Sequence, residues 1–309
     1  MSKIAVIGSN SFIAGYVIEE LHNRGHKVVG LQRHLPFGKA NHYPDEVYVC
    51  DITNHEVVER VVSICDYTIN LAGILGTSET VNNPKPAVEV NILGTLNVLN
   101  ACRIWDKPFL QIAVGNYWMQ NTYSITRTTA ERFTLMYAKE HNLKANVVRA
   151  LNAYGARQTF ASYKKMMPQF ILSALHNQPL PVYGDGEQLM DFIYVSDLAE
   201  FLVDTLLEPE KVKNQIKTKT NLDLSDTEYG NIYQCGEGFG LPVKELAQKI
   251  INLSGSKSTI EYRPMRQGEP LGAKIVADYQ SPTYKVSIDE GIKKTIKYYK
   301  ENLDNYYVY

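Results

Sequence analysis

The sequence predicts an α/β fold built on a doubly wound parallel sheet, and three features predict it. Short apolar runs alternate with segments of helical periodicity through the first half of the chain. The stretches joining them are short, as right-handed crossovers between parallel strands require. The first apolar run ends in a glycine that leads straight into an amphipathic segment.

The elements follow in order. KIAVIG (3–8) reads as a buried strand. Ile13, Ala14, Val17, Ile18 and Leu21 recur at helical spacing and predict a helix over 13–23, with Gly25 as its stop. HKVVGLQ (26–32) and EVYVCD (46–51) are the next strands. A helix is expected over 55–64, a strand over YTINLAG (67–73), and a helix over 86–104. PFLQIAV (108–114) is a strand, 124–141 a helix and KANVVRA (144–150) a strand. In such a sheet the strand-to-helix loops gather at the carboxyl edge, where ligands bind.

The second half is less regular. A helix is expected over 166–177, and a strand and turn over PLPVYGDGEQ (179–188). DFIYVSDLAEFLVDTLLE (191–208) reads as strand, cap and helix, with Ser196 or Asp197 as N-cap. Residues 208–230 are rich in Lys, Asp and Glu and read as an exposed, mobile insertion. GNIYQCG (230–236) is a further strand, 242–254 a helix opened by Pro242, and 284–301 a closing amphipathic helix.

Composition narrows the function. The 309 residues carry 32 basic and 33 acidic side chains, a net charge of −1, which argues against a nucleic acid or an anionic membrane as partner. No apolar run reaches the roughly 18 residues of a membrane helix. MSKIAVIGSN lacks the plan of a signal peptide. Cys50, Cys65, Cys102 and Cys235 form no CxxC pair, so they read as reduced thiols in a cytoplasmic protein without a metal site.

The loop after the first strand carries the first chemical signal. Gly8-Ser9-Asn10-Ser11-Phe12-Ile13-Ala14 follows a G-x-x-G-x-x-G plan in which Ser11 and Ala14 replace two glycines. Such glycines let backbone approach a dinucleotide pyrophosphate at the helix N-terminus, and Ser and Ala are their smallest substitutes. At the end of the second strand, Leu31-Gln32-Arg33-His34 has no acid for an adenosine ribose. Arg33 could meet a 2′-phosphate instead, so the expected cofactor is NAD or NADP, with NADP favoured. Asp51, followed by Ile52, is placed to accept from the adenine amino group. Leu71, Ala72 and Gly73 offer small surfaces against the cofactor.

NILGTLNVLNA (91–101), RALNAYGARQ (149–158), PVYGDGEQLMDFIYVSDLAE (181–200), YQCGEGFGLPVKELA (233–247) and RQGEP (266–270) add a second signal. In these stretches, and in their order, the chain resembles the extended short-chain dehydrogenase/reductases of the NAD(P)-dependent sugar-nucleotide epimerase/dehydratase family. The resemblance runs over about residues 3–280. It implies a Rossmann domain over 1–160, to which 191–208 and 230–236 return, and a mainly substrate-binding region over 161–309. It also implies a homodimer paired through the helices 86–104 and 124–141.

The resemblance implies a catalytic Tyr-x-x-x-Lys pair, a Ser or Thr on the preceding strand and an earlier Asn. Tyr123 and Arg127 align with the pair, and their spacing puts both on one helical face. A phenol with a pKa near 10 is a poor base at neutral pH. A cation about 5 Å away, at an effective dielectric near 20, lowers that pKa by roughly 2 units. Asn91 matches the asparagine that props the catalytic helix. Val114 occupies the Ser/Thr position, a loss that typically costs about 10²–10³ in rate. Asn116, Tyr117 and Ser124 are the candidate replacements. Gly115 and Asn116 stand where dehydratases carry acids, so dehydration is not expected. Asn152 and Arg266 match contacts to the substrate diphosphate, Met190 replaces a second arginine there, and Tyr183 belongs to the same substrate side.

The leading expectation is a nucleotide-sugar epimerase at C4, working by transient oxidation with a bound nicotinamide cofactor. One alternative is an NADPH-dependent 4-ketoreductase, which Arg33 favours. The other is a weakly catalytic or non-catalytic dinucleotide-binding protein, which the changes at Ser11, Val114, Arg127 and Met190 favour.

Overall fold

The computed structural model describes residues 1–34, 43–159, 165–220 and 231–303. Strand β1 (Lys3–Ile7) buries Ile4 through Ile7 completely. A parallel strand at the centre of a sheet must be apolar on both sides, because helices cover both faces. Its residues alternate accordingly. Ile4 and Val6 join a cluster with α1 (Phe12–Asn23), while Ala5 and Ile7 join one with α2 (His55–Ser63). Gly25, with φ +77°, follows the end of α1 and turns the chain back into the sheet.

β1 pairs with β2 (Lys27–Gln32) and β4 (Tyr67–Asn70), and β3 (Glu46–Val49) closes one edge beyond β2. β5 (Phe109–Val114) and β6 (Ala145–Ala150) extend the other side. The later strands are β7 (Asn152–Tyr154), β8 (Leu180–Tyr183), β9 (Leu189–Met190), β10 (Phe192–Tyr194) and β11 (Ile232–Cys235). β12 (Leu241–Pro242), β13 (Ile260–Arg263) and β14 (Lys274–Ile275) complete the set. β11 pairs in parallel with β6, so the seven-stranded sheet runs β11-β6-β5-β4-β1-β2-β3. Strand order reverses between β1 and β4, and such a switch point opens a crevice at the carboxyl ends.

After β4 the chain enters α3 (Lys85–Ala87), a π-helical stretch (Val88–Gly94) and α4 (Thr95–Ile104), then β5 and α5 (Thr122–His141). The single helix expected over 86–104 is thus wound wider in its first half. The second half of the chain adds α6 (Met166–Leu175), α7 (Val195–Leu207), α8 (Pro209–Thr220), α9 (Val243–Ser254) and α10 (Ile288–Glu301). α7 packs on α1 over the main sheet through Phe201 and Leu202. α6, α9 and α10 form a separate apolar cluster around Phe170, Leu246 and Ile292. Small sheets accompany it: β7 with β10, β8 with β13, and β9 between β12 and β14.

Two sequence expectations need correction. Residues 209–220 are not an exposed loop but helix α8, docked through the buried Val212 and Ile216. Two apolar residues at i, i+4 suffice to seat a helix whose other faces are charged, and so polar a composition hides them. Residues 221–230 of the same insertion lie outside the described residues. The cap of α7 is also different, because Tyr194 holds the N-cap position and neither Ser196 nor Asp197 caps it. Asp197 instead accepts the backbone N–H of Lys285 at 2.7 Å and of Val286 at 2.8 Å. Asp191, also buried, accepts the backbone N–H groups of Glu237, Gly238 and Ala277. These two carboxylates bind backbone at 237–238, 277 and 285–286 to the segment around β10 and the start of α7.

Candidate active site

A cavity of about 360 Å³ opens at the carboxyl edge of the sheet. Ser11, Phe12, Ile13, Leu71, Gly73 and Val114 line it from the sheet side. Asn152, Tyr183, Met190 and Arg266 line it from the later chain, and Asn116, Tyr123 and Arg127 stand between. Gly8, Ala14, Arg33, Asp51, Ile52, Ala72 and Asn91 are not in its wall.

Some of those outer residues shape the wall from behind. Gly8 adopts φ +83°, and a Cβ there would fall 2.7 Å from the Ala72 nitrogen. Only glycine combines that backbone conformation with so close a crossing. Ser11 is the N-cap of α1 but gives no side-chain bond to it, so the first N–H groups of the helix remain for an anion. Ala14 is buried in the α1 core. Asp51 accepts from the Thr53 backbone and hydroxyl through one carboxylate oxygen. Arg33 is exposed and donates to His34 at 3.0 Å. Among the described residues nothing in this geometry supports NADP over NAD.

Asn121 starts α5 by capping it, its Oδ1 accepting the Ser124 N–H at 2.9 Å. Its amide donates to the Gly268 carbonyl, so the same residue ties the RQGEP loop to α5. Tyr123 lies in the first turn of the helix, half-buried, with Arg127 one turn on. Arg127 is 3% exposed, and no carboxylate pairs with it among the described residues. Its Nη1 donates to the Ala72 carbonyl at 2.8 Å and its Nη2 to the Ile112 carbonyl at 2.5 Å, leaving Nε without a partner. Gly73 makes room for this fork: a Cβ there would sit 2.6 Å from Nη1. Burial pushes the Tyr123 phenol above its ordinary pKa and the Arg127 cation pulls it back. Burial likewise lowers Arg127, and the developing phenolate opposes that.

Asn91 sits in the π-helical stretch, a form common at functional sites. Its Oδ1 accepts the Ile74 N–H at 2.8 Å, and its amide donates to the Thr126 hydroxyl at 2.9 Å. It therefore joins the loop after β4 to α5 between Tyr123 and Arg127.

Val114 ends β5 and presents apolar surface to the cavity. Of the three candidate replacements, only Asn116 lines that wall. Its amide has a weak sulfur partner, Met119 Sδ at 3.5 Å. Tyr117 faces outward beneath the Arg149 guanidinium, 3.8 Å from its ring centroid. Ser124 is wholly buried elsewhere.

On the substrate side, Asn152 donates to the Asp191 carbonyl, and Arg266 lies over the Tyr183 ring, 5.0 Å from its centroid. Arg266 is also paired with Glu269, which accepts the Thr77 hydroxyl at 2.7 Å. Three charged residues of this wall were not singled out in the sequence: Glu79, Lys165 and Glu269. Glu79 and Lys165 fall in irregular stretches with no motif around them. Five of the chain's seven methionines, Met119, Met166, Met167, Met190 and Met265, also line the cavity. Met190 thus belongs to an adaptable apolar surface where a second arginine would have been.

The model of the NAD dependent epimerase/dehydratase family matches residues 4–218. A UDP-N-acetyl-alpha-D-glucosaminuronate decarboxylase of Bacillus cytotoxicus is 27% identical, over 97% of this chain and 98% of the relative. A UDP-glucuronic acid decarboxylase 1 of Danio rerio is 25% identical, over 98% of this chain and 74% of the relative. The crystal structure of a UDP-glucose 4-epimerase of Thermotoga maritima with UDP-glucose matches at TM-score 0.82 and 23% identity, covering 97% of this chain and 99% of that one. The last likeness is one of fold.

Proposed function

The chain belongs to the NAD dependent epimerase/dehydratase family, and on that footing we propose that it is a nucleotide-sugar epimerase acting at C4 with NAD. The observation that carries this reading is that one cavity is lined at once by the glycine-loop residues Ser11, Phe12 and Ile13, the Tyr123–Arg127 pair and the diphosphate candidates Asn152 and Arg266. The residues present fit a dinucleotide, because the start of α1, uncapped by the Ser11 side chain, leaves N–H groups for a pyrophosphate, and Gly8 lets the preceding loop pass close over Ala72. Ser11, Phe12 and Ile13 would hold that group, with Leu71 and Gly73 against the nicotinamide end. NAD supplies a hydride acceptor when bound.

Tyr123 then takes the proton of the C4 hydroxyl, and the Arg127 cation stabilises the phenolate. Asn116 donates a hydrogen bond where Val114 offers none. Arg266 meets the diphosphate, a charge-assisted contact for which it must share or leave Glu269. Closeness of base and substrate in one cleft supplies much of the acceleration.

Denaturing the purified protein and identifying the released nucleotide by mass spectrometry tests the reading. An epimerase returns its hydride and keeps its cofactor, so NAD⁺ near one per chain is expected. A protein that releases none, and binds neither NAD⁺ nor NADH on titration, would overturn it.

A further inference from the structure

Lys165 stands immediately before α6 and lines the cavity. Its Nζ lies 5.9 Å from the centroid of the Tyr123 ring. The other cations of the wall are engaged. The fork of Arg127 is spent on two backbone carbonyls. Arg266 is paired with Glu269. The Lys165 side chain has neither a hydrogen bond nor an ion pair among the described residues, and its ammonium lies over the Tyr123 ring. Glu79 and, more weakly, Glu269 attract it and Arg266 repels it, none of them in an ion pair with it. Burial accordingly pushes the Lys165 amine below its ordinary pKa. An ammonium taken out of water without a counterion is costly, so a chain that keeps one in a ligand cavity gains from an anion delivered there.

The position narrows that anion. On the proposed C4 chemistry, which this inference rests on, the diphosphate lies with Asn152 and Arg266 and the sugar C4 with Tyr123. A group beside Tyr123 then meets the substituents of C3 and C5. In a hexose the anion available there is a carboxylate at C6, carried on C5.

We infer that Lys165 binds a C6 carboxylate and that the substrate is a nucleotide-linked uronic acid. Oxidation at C4 makes such a sugar a β-keto acid. Return of the hydride to the other face of C4 gives the 4-epimeric uronate, whereas loss of carbon dioxide with uptake of a proton at C5 gives a 4-ketopentose, which the returned hydride reduces to a pentose. Either product satisfies the inference, while the pentose would replace the epimerase reading.

UDP-glucuronate and UDP-glucose differ only at C6 and form the test pair. Calorimetric titration of the purified, NAD⁺-supplied protein should show tighter binding of UDP-glucuronate, by about 10- to 100-fold for one charge-assisted contact. Lys165→Met should bring the two affinities to within about threefold of each other, and Lys165→Arg should restore the preference. Circular dichroism establishes that each variant is folded. Equal affinity of the unaltered protein for both sugars, or a preference that survives in folded Lys165→Met, overturns the inference. Preferential binding without turnover of either sugar would sink the C4 reading and leave the carboxylate contact standing.

Discussion

Tyr123→Phe should lower turnover by about 10²–10⁴-fold, the range of a positioned acid/base, with little change in substrate affinity. The variant keeps the ring that packs in the first turn of α5 and beneath Lys165, and removes only the oxygen. The capping of the helix by Asn121 and the fork of Arg127 do not involve that oxygen, so the scaffold is untouched. Steady-state kinetics and calorimetric titration separate the two effects. Turnover within about twofold of the unaltered protein would exclude Tyr123 as the base, since no positioned acid/base contributes so little.

Arg127→Met should move the alkaline-rising limb of kcat to higher pH and lower the rate at neutrality by up to about 10². The sign follows from two opposing influences on Tyr123. Burial raises the phenol and Arg127 lowers it, so losing the cation leaves burial unopposed. The base is active above its pKa, so a higher pKa means less base at neutral pH. Arg127→Lys restores the charge without the two-carbonyl fork, and should recover the pH limb more fully than the rate. A pH–rate profile of all three proteins is the measurement. An unmoved limb in Arg127→Met would show that the cation does not act on the base.

The first half of the fold was legible because its periodicities are strong. The run from Ile4 to Ile7 belongs to a strand buried on both faces, and the glycine at its end belongs to the crossing over Ala72. The π-helical winding around Asn91 was not legible, since one extra residue per turn barely disturbs an apolar repeat. Helix α8 escaped because only Val212 and Ile216 seat it. Asp197 looked like a cap because its neighbours in sequence start a helix, whereas its partners are nearly ninety residues on, at Lys285 and Val286. Lys165 escaped for the same reason: its meaning comes from Tyr123, Glu79 and Arg266, which the fold brings to it. Tyr123 and Arg127 could be paired from sequence because one helix carries both. That Gly73 makes room for the guanidinium required coordinates.

A nucleotide sugar oxidised and reduced again at C4 beside Tyr123 gives up its C4 hydride and takes the same hydride back. UDP-glucose and UDP-glucuronate carrying deuterium at C4 test it most directly, with products read by proton NMR and mass spectrometry. The label is expected back at C4 of an inverted product without net consumption of NAD⁺. Loss of the label to solvent, or no product from any nucleotide sugar supplied with NAD⁺, would contradict it.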